Sequence, residues 1–231
     1  MNNMRQLPSP GRVLLVLLLM DAGVGALHLL FFSDPEWGTM FNLAHEENFP
    51  TCYSSFLFLL GAGAGWFCYV VEKKSSPKKP WGWLLVALGL LGLAMDEILQ
   101  IHETLIDLVM NGYAGNSLRQ YFGVTQDTDS LLWTVVFAPV IILAATALIM
   151  FYYSRLSKNL PLFLLSLLPA GLLALSAGLE FLEAKTLSSS AQDSMTRYWQ
   201  FIFIEEMVEF IAASLFMWIH YKYAMWRRTE S

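Results

Sequence analysis

The segment from Trp81 to Met110, WGWLLVALGLLGLAMDEILQIHETLIDLVM, indicates the class of fold. It begins as an apolar run of the length that a helix needs, about 20 residues, to cross a hydrocarbon core of about 30 Å. It ends in a run rich in acidic residues. The segment therefore predicts a transmembrane helix that is apolar at one membrane face and polar toward the other.

Five further apolar runs of similar length flank this segment on both sides. Together they predict an all-α, polytopic membrane helical bundle of about six transmembrane helices, forming a single integral membrane domain over residues 1–231. The composition agrees, because 56% of the residues are hydrophobic and only 14% are charged, which is too little charge for an ordinary soluble domain. The predicted spans are residues 13–32, 51–71, 81–110, 131–153, 160–183 and 199–223.

The signs of the charges are segregated along the chain, and this predicts its orientation. Lys and Arg concentrate before the first span, after the second, after the fourth and after the sixth. In a six-span chain these four places share one side of the membrane, and the positive-inside rule makes that side cytoplasmic. Both termini are therefore predicted in the cytoplasm, and the location is predicted to be a bacterial inner (plasma) membrane. No basic patch interleaved with aromatics indicates a nucleic-acid partner.

Most polar residues of the predicted spans fall in the outer, non-cytoplasmic half. A charged side chain at a span centre costs about 2.5–3.5 kcal/mol on insertion scales, so protons, metal ions or water must compensate these acids. Glu180 with Glu183, and Glu206 with Glu209, are three residues apart and so share a helix face. The pattern predicts a buried layer of carboxylates and histidines.

Helical bundles build metal sites from inward carboxylates on several helices, completed by histidines. We therefore expect a divalent transition metal, Zn, Fe, Cu or Mn, since imidazole and carboxylate suit these ions. The predicted ligands are Glu97, His102, Glu103, Glu180, Glu183, Glu206 and Glu209. The predicted catalytic groups, as a base or as supports of the ligands, are Asp96 and Glu205. The candidate additional ligands are His45, Glu46, Glu47, Asp21 and His28.

Some of these residues have a plainer interpretation that stays open. Asp21 and His28 can equally be hydrogen-bonding groups between helices. The acids beside His45 can equally be an exposed loop. Cys52 and Cys68 lie about 24 Å apart along one predicted helix, so they are not expected to form a disulfide. His220 is predicted at the cytoplasmic interface.

The predicted function is a metal-dependent membrane hydrolase or oxidoreductase that acts on a lipid or other hydrophobic small molecule from the non-cytoplasmic leaflet. A bound metal would lower the pKa of a water molecule in hydrolysis, and a nearby glutamate would accept the proton. One alternative is a proton- or cation-coupled transporter or channel component, which requires a polar path to the inner side. The other is a structural or assembly subunit of a membrane complex.

Overall fold

The computed structural model describes residues 7–75, 79–113, 115–123, 132–187 and 194–230. Every regular element in these ranges is a helix, as predicted. In chain order the helices are α1 (Pro10–Phe31), α2 (Gly38–Phe41), α3 (Phe49–Ser75), α4 (Trp81–Leu99), α5 (Ile101–Met110), α6 (Gly115–Phe122), α7 (Trp133–Val136), α8 (Ala138–Leu156), α9 (Leu160–Leu187) and α10 (Ser194–Glu230).

Five of these helices, α1, α3, α4, α8 and α9, are long and apolar enough to cross a membrane. Their outward faces carry large exposed hydrophobic side chains, such as Leu30 on α1 and Leu143 on α8. A lipid bilayer is the solvent that suits such faces, because water would not tolerate so much exposed apolar surface. The protein is therefore an integral membrane helical bundle.

The predicted third span is wrong in one respect, because residues 81–110 form two helices rather than one. Gln100 has φ 49° and ψ 46°, in the left-handed region, and separates α4 from α5. A right-handed helix cannot continue through such a residue. The acids on the two sides of Gln100 therefore do not share one helix face, and Asp107 is exposed.

The predicted fourth span also starts later than expected. The short helix α7 and Phe137 precede α8, which begins at Ala138 with Pro139 in its first turn. Proline suits the first turn of a helix, where its missing N–H has no partner to lose. Leu131, the predicted start, lies outside the described residues.

The centre of the bundle is occupied by α10, the most polar of the long helices. It packs against α9, α3 and α1. It runs antiparallel to α1, since the Tyr221 hydroxyl donates to the Pro8 carbonyl at 2.7 Å and the Trp199 ring lies 6.5 Å from that of Phe32 at the other end. Its glutamates lower its hydropathy, so it is not among the five helices above. The neighbouring helices cover it instead.

Small residues set the closest helix contacts. A Cβ on Gly65 of α3 would lie 3.4 Å from Ala87 of α4, so this glycine allows the two helices to pack closely within the bundle. The contact at Gly82 of α4 is closer still, because a Cβ at this position would overlap the Phe151 ring of α8. These contacts hold α4 against α3, and the inner ends of α4 and α8 against each other.

Candidate functional site

The break at Gln100 creates a paired carboxylate and imidazole. Asp96 accepts a hydrogen bond at 2.9 Å from the backbone N–H of His102, and its other oxygen lies 2.9 Å from His102 Nδ1. Burial alone lowers the pKa of His102, but the Asp96 carboxylate outweighs it and the pKa is raised. The pairing fixes the imidazole and leaves Nε2 as its free ring nitrogen.

Trp133 of α7 connects this pair to α9. Its indole Nε1 lies 2.7 Å from both carboxylate oxygens of Glu180 and donates to them, and its ring is 4.8 Å from the His102 ring. The sequence suggested only an interfacial aromatic here. A tryptophan directly before a span has that meaning in most chains, so its partner could be found only from the fold.

Carboxylates of α4 and α10 meet beside the His102 imidazole. Glu97 and Glu209 lie within interaction distance of each other, and two carboxylates this close need a proton or a cation between them. The Ser176 hydroxyl of α9 donates to Glu205 and lies 3.5 Å from Glu209. The electric field of the His102 imidazole acts on Glu209 as well as on Glu180.

The other two predicted acids of α9 and α10 lie in the same region. Glu183 is buried, at 5% exposure, and one of its oxygens has no hydrogen-bond partner among the described residues. Glu206 is half-buried near Glu97 and Glu205. We refer to the set as the acid layer. Its members are Asp96, Glu97, His102, Glu103, Glu180, Glu183, Glu205, Glu206 and Glu209.

An open depression lies at the end of the bundle that carries the acid layer. It has a volume of about 690 Å³. Glu46 connects the two regions, because its charge interacts with Glu103, His102 and Glu209. Desolvation by the surrounding helix ends and then the Glu103 charge raise the pKa of Glu46. The residues lining this outer depression are Thr39, Met40, His45, Glu46, Glu47, Asn48, Phe49 and Cys52.

Asp21 and His28 make hydrogen bonds between elements rather than joining the acid layer. Asp21 is 1% exposed and accepts from the Tyr53 hydroxyl at 2.6 Å and the Ser214 hydroxyl at 3.1 Å, so it connects α1, α3 and α10. His28 Nδ1 accepts from the backbone N–H of Leu43 at 3.1 Å. These contacts favour the plainer interpretation of both residues.

The half of the bundle opposite the acid layer also contains buried polar residues. The prediction for His220 is wrong, because it is fully buried, with a ring nitrogen 2.7 Å from the Tyr152 hydroxyl. Glu72 is 2% exposed and forms an ion pair with Arg155 at 3.2 Å. The Tyr223 hydroxyl donates to the same Glu72. Basic and acidic residues near a span end resemble ordinary interfacial residues in the sequence, so their burial was not predictable.

The donors of the acid layer are chemically suited to a transition metal, since carboxylate and imidazole are its common ligands. Among the residues that the structure describes, however, no group of three or more His, Cys, Asp or Glu side chains is arranged to hold a metal ion. Metal binding here would require side chains such as Glu206 and Glu183 to rotate toward the others. Asp96 already supports His102 in the way that carboxylates support metal-bound imidazoles.

The fold defines an integral membrane helical protein. The chain belongs to the family described as Domain of unknown function (DUF8692), whose family model matches residues 11–224. The match therefore includes every helix that contributes to the acid layer. No curated protein and no solved structure matches the chain.

Proposed function

We propose that the acid layer binds a divalent transition-metal ion and that the protein is a metal-dependent membrane enzyme. The observation that carries the proposal is the meeting of Glu97, Glu209 and the Asp96-supported His102, contributed by three different helices. Carboxylates this close repel one another unless cations or protons compensate them. Glu97 and Glu209 are such a pair, and a metal ion would supply the compensating positive charge.

The residues take different roles in this proposal. His102, Glu97, Glu209 and Glu180 are the first candidates for ligands, with Glu103, Glu183 and Glu206 able to join after rotation. Asp96 holds the imidazole and so acts as a positioning residue. Glu205, which accepts a hydrogen bond from Ser176, is the proposed base. When bound, the metal would supply an activated water for hydrolysis or a centre for oxygen chemistry.

The proposed substrate is a lipid or another hydrophobic small molecule. The acid layer lies where helices that face the bilayer, α4 and α9, carry their polar ends. A substrate dissolved in the outer leaflet would reach these carboxylates without leaving the membrane. Its reactive group must be polar, since only a polar group gains by approaching the acid layer.

Metal content tests the proposal directly. Elemental mass spectrometry of the detergent-purified protein is expected to find near-stoichiometric Zn, Fe, Cu or Mn, and to find none in the Glu97→Gln, Glu209→Gln double variant. Asp107→Asn is the matched control, because Asp107 is exposed on α5 and its removal should leave the metal in place. A metal-free wild-type protein would rule the proposal out.

We also propose that α10 is a sixth transmembrane helix and that both termini are cytoplasmic. The support is the antiparallel course of α10 along α1, from Trp199 beside Phe32 to Tyr221 beside Pro8. Helices that lie side by side over this length cross the same thickness of membrane. Reporter fusions at the two termini should both show the cytoplasmic signal. A periplasmic signal from either fusion would contradict the orientation.

One observation favours a second candidate, a proton- or cation-coupled transporter. The buried ion pair of Glu72 and the buried His220 extend polar groups into the inner half, as transport requires. Leu57 and Phe216, both nearly fully buried, lie between the level of Asp21 and that of His220 and interrupt the path. Proton flux in proteoliposomes that disappears in Glu209→Gln would favour this candidate. Co-purification of a stable partner would instead favour the assembly-subunit alternative.

A further inference from the structure

Three aromatic rings contact one another at the end of the bundle opposite the acid layer, where α3 ends and α4 begins. The ring centroids of Trp66 and Tyr69 on α3 are 5.4 Å apart, and the Tyr69 ring lies 6.1 Å from that of Trp81 on α4. Both tryptophans are more than half exposed, so packing inside the bundle does not account for the cluster. Tryptophan and tyrosine rings favour the depth of the lipid headgroups.

Exposed lysines lie beside these rings. The Lys73 Nζ is 5.8 Å from the centroid of the Tyr69 ring. Lys74 follows directly, and Lys79 lies two residues before Trp81. Arg155 of α8 donates to the Lys79 carbonyl at 2.5 Å, which fixes the backbone at the start of α4. Cations and aromatic rings therefore form one continuous surface on two helices.

The charge of this surface is not balanced by acids. Glu72 is the only acidic residue of α3, and it is 2% exposed and paired with Arg155 at 3.2 Å. In the parts of the chain that the structure describes, no ion pair joins Lys73, Lys74 or Lys79 to an acid. A surface of one sign attracts ligands of the opposite sign, so an anion is the complementary group.

An apolar stripe continues from the rings along α4. Trp81, Leu85 and Leu88 are four and three residues apart, so they share one helix face, and each is more than half exposed. A ligand that covers both the lysines and this stripe must carry a negative charge at the end of a long apolar chain. An anionic phospholipid has this form, whereas a soluble phosphate has no apolar part.

We propose that Trp66, Tyr69, Lys73, Lys79 and Trp81, which we call the aromatic–lysine patch, bind the headgroup of an anionic phospholipid. One acyl chain of the lipid lies along the exposed stripe of α4. In the orientation proposed above the lipid comes from the cytoplasmic leaflet, which carries the anionic lipids that attract basic segments. The lipid site does not depend on metal binding in the acid layer.

Native mass spectrometry of the detergent-purified full-length protein tests the proposal. With equimolar phosphatidylglycerol and phosphatidylcholine of the same acyl chains, the wild type is expected to retain phosphatidylglycerol in preference. Lys73→Gln with Lys79→Gln should lower the affinity for phosphatidylglycerol by about tenfold or more, since each cation near a lipid surface contributes a factor of about five. Equal retention of the two lipids by the wild type would overturn the proposal.

A matched pair of substitutions separates the patch from the general positive charge of this end of the bundle. Arg12→Gln with Arg228→Gln also removes two exposed cations, but from α1 and α10, and should leave the affinity unchanged. Circular dichroism should show the same helix content in both double variants. If the arginine and lysine double variants lose affinity equally, the lipids respond only to total charge and the site does not exist.

The aromatic rings give an independent test that leaves every charge in place. Trp66→Ala with Trp81→Ala should lower the affinity for phosphatidylglycerol by about fivefold or more, because the lipid loses apolar surface to cover. Soluble glycerol phosphate should not displace the lipid. Unchanged affinity in the tryptophan variant, or displacement by glycerol phosphate, would mean that the lysines bind a phosphate group alone and would overturn the lipid site.

Discussion

Trp133 shows how much a single side chain contributes to the acid layer. Its indole N–H reaches both oxygens of Glu180, and its ring lies against His102. A hydrogen bond to a charged group contributes about 1.5–3 kcal/mol, and a buried acceptor left without its donor costs about 1–3 kcal/mol. The residue therefore fixes a carboxylate and an imidazole from two different helices.

Replacing Trp133 by Phe is expected to lower the free energy of unfolding by about 1–3 kcal/mol, because Glu180 loses its donor. Denaturant unfolding of the detergent-solubilised protein measures the change. Trp81→Phe is the matched control, since Trp81 is 59% exposed and its replacement should have little effect. Equal losses in both variants would mean that the bond to Glu180 contributes nothing.

At the level of helices, the left-handed Gln100 determines where His102 lies. If α4 continued straight, His102 would lie almost two turns beyond Asp96 and could not bond to it through both its backbone N–H and its ring. A non-glycine residue in a sparsely populated backbone region costs about 1–3 kcal/mol. The surrounding contacts of α5 must hold Gln100 there.

Two substitutions at Gln100 should therefore rank in the opposite order to the one expected in a continuous helix, where glycine is the more harmful of the two. Glycine adopts the left-handed region freely, so Gln100→Gly should leave the stability unchanged or raise it by up to about 1 kcal/mol. Gln100→Val should lower it by about 1–3 kcal/mol, because a β-branched residue is strained there. Thermal unfolding of both variants measures the change in stability, and Leu108→Val, at a 75% exposed position of α5, is the control. If glycine proves the more harmful of the two, α4 and α5 form one helix.

The Gln100 break also shows what sequence reasoning could and could not provide. Apolar length predicted the membrane helices, because lipid imposes a strict requirement on it. The acids of α9 and α10 were predictable, since a carboxylate inside a span is costly and usually marks a functional site. A glutamine in the left-handed region gives no such signal, because nothing in its chemistry marks it. The same holds for Ser176, because its role becomes visible only when the structure shows its hydroxyl donating to Glu205.

At the scale of the whole molecule, a buried ion pair joins α8 to α3 at the end of the bundle opposite the acid layer. Arg155 of α8 pairs with Glu72 of α3 at 3.2 Å and donates to the Lys79 carbonyl at 2.5 Å. Tyr223 of α10 bonds to the same Glu72. Most of α8 faces outward, so this pair acts together with the contacts of Phe151 and Tyr152 to attach α8 to the rest of the bundle.

Removal of the arginine should therefore weaken the whole bundle. Arg155→Met leaves Glu72 buried without its charged partner and is expected to lower the free energy of unfolding by about 3–5 kcal/mol. Lys158→Met, at an exposed position two residues beyond the end of α8, is the control and should change it little. Denaturation followed by circular dichroism gives both values. A loss in Arg155→Met no larger than in the control would mean that the ion pair does not hold α8.

The central position of α10 has a consequence for how the protein is made. A helix with three glutamates within one and a half turns is poorly suited to leave the translocon into lipid alone, at about 2.5–3.5 kcal/mol for each charge near the centre. Helices α1 to α9 precede it in the chain, and α1, α3 and α9 form the surface that it needs. If α10 is the sixth span proposed above, its insertion should require the other helices and should coincide with assembly of the bundle. A nascent chain that ends before α10 would expose the polar side chains of α1, α3 and α9 to the bilayer. We expect membrane chaperones to bind such an intermediate.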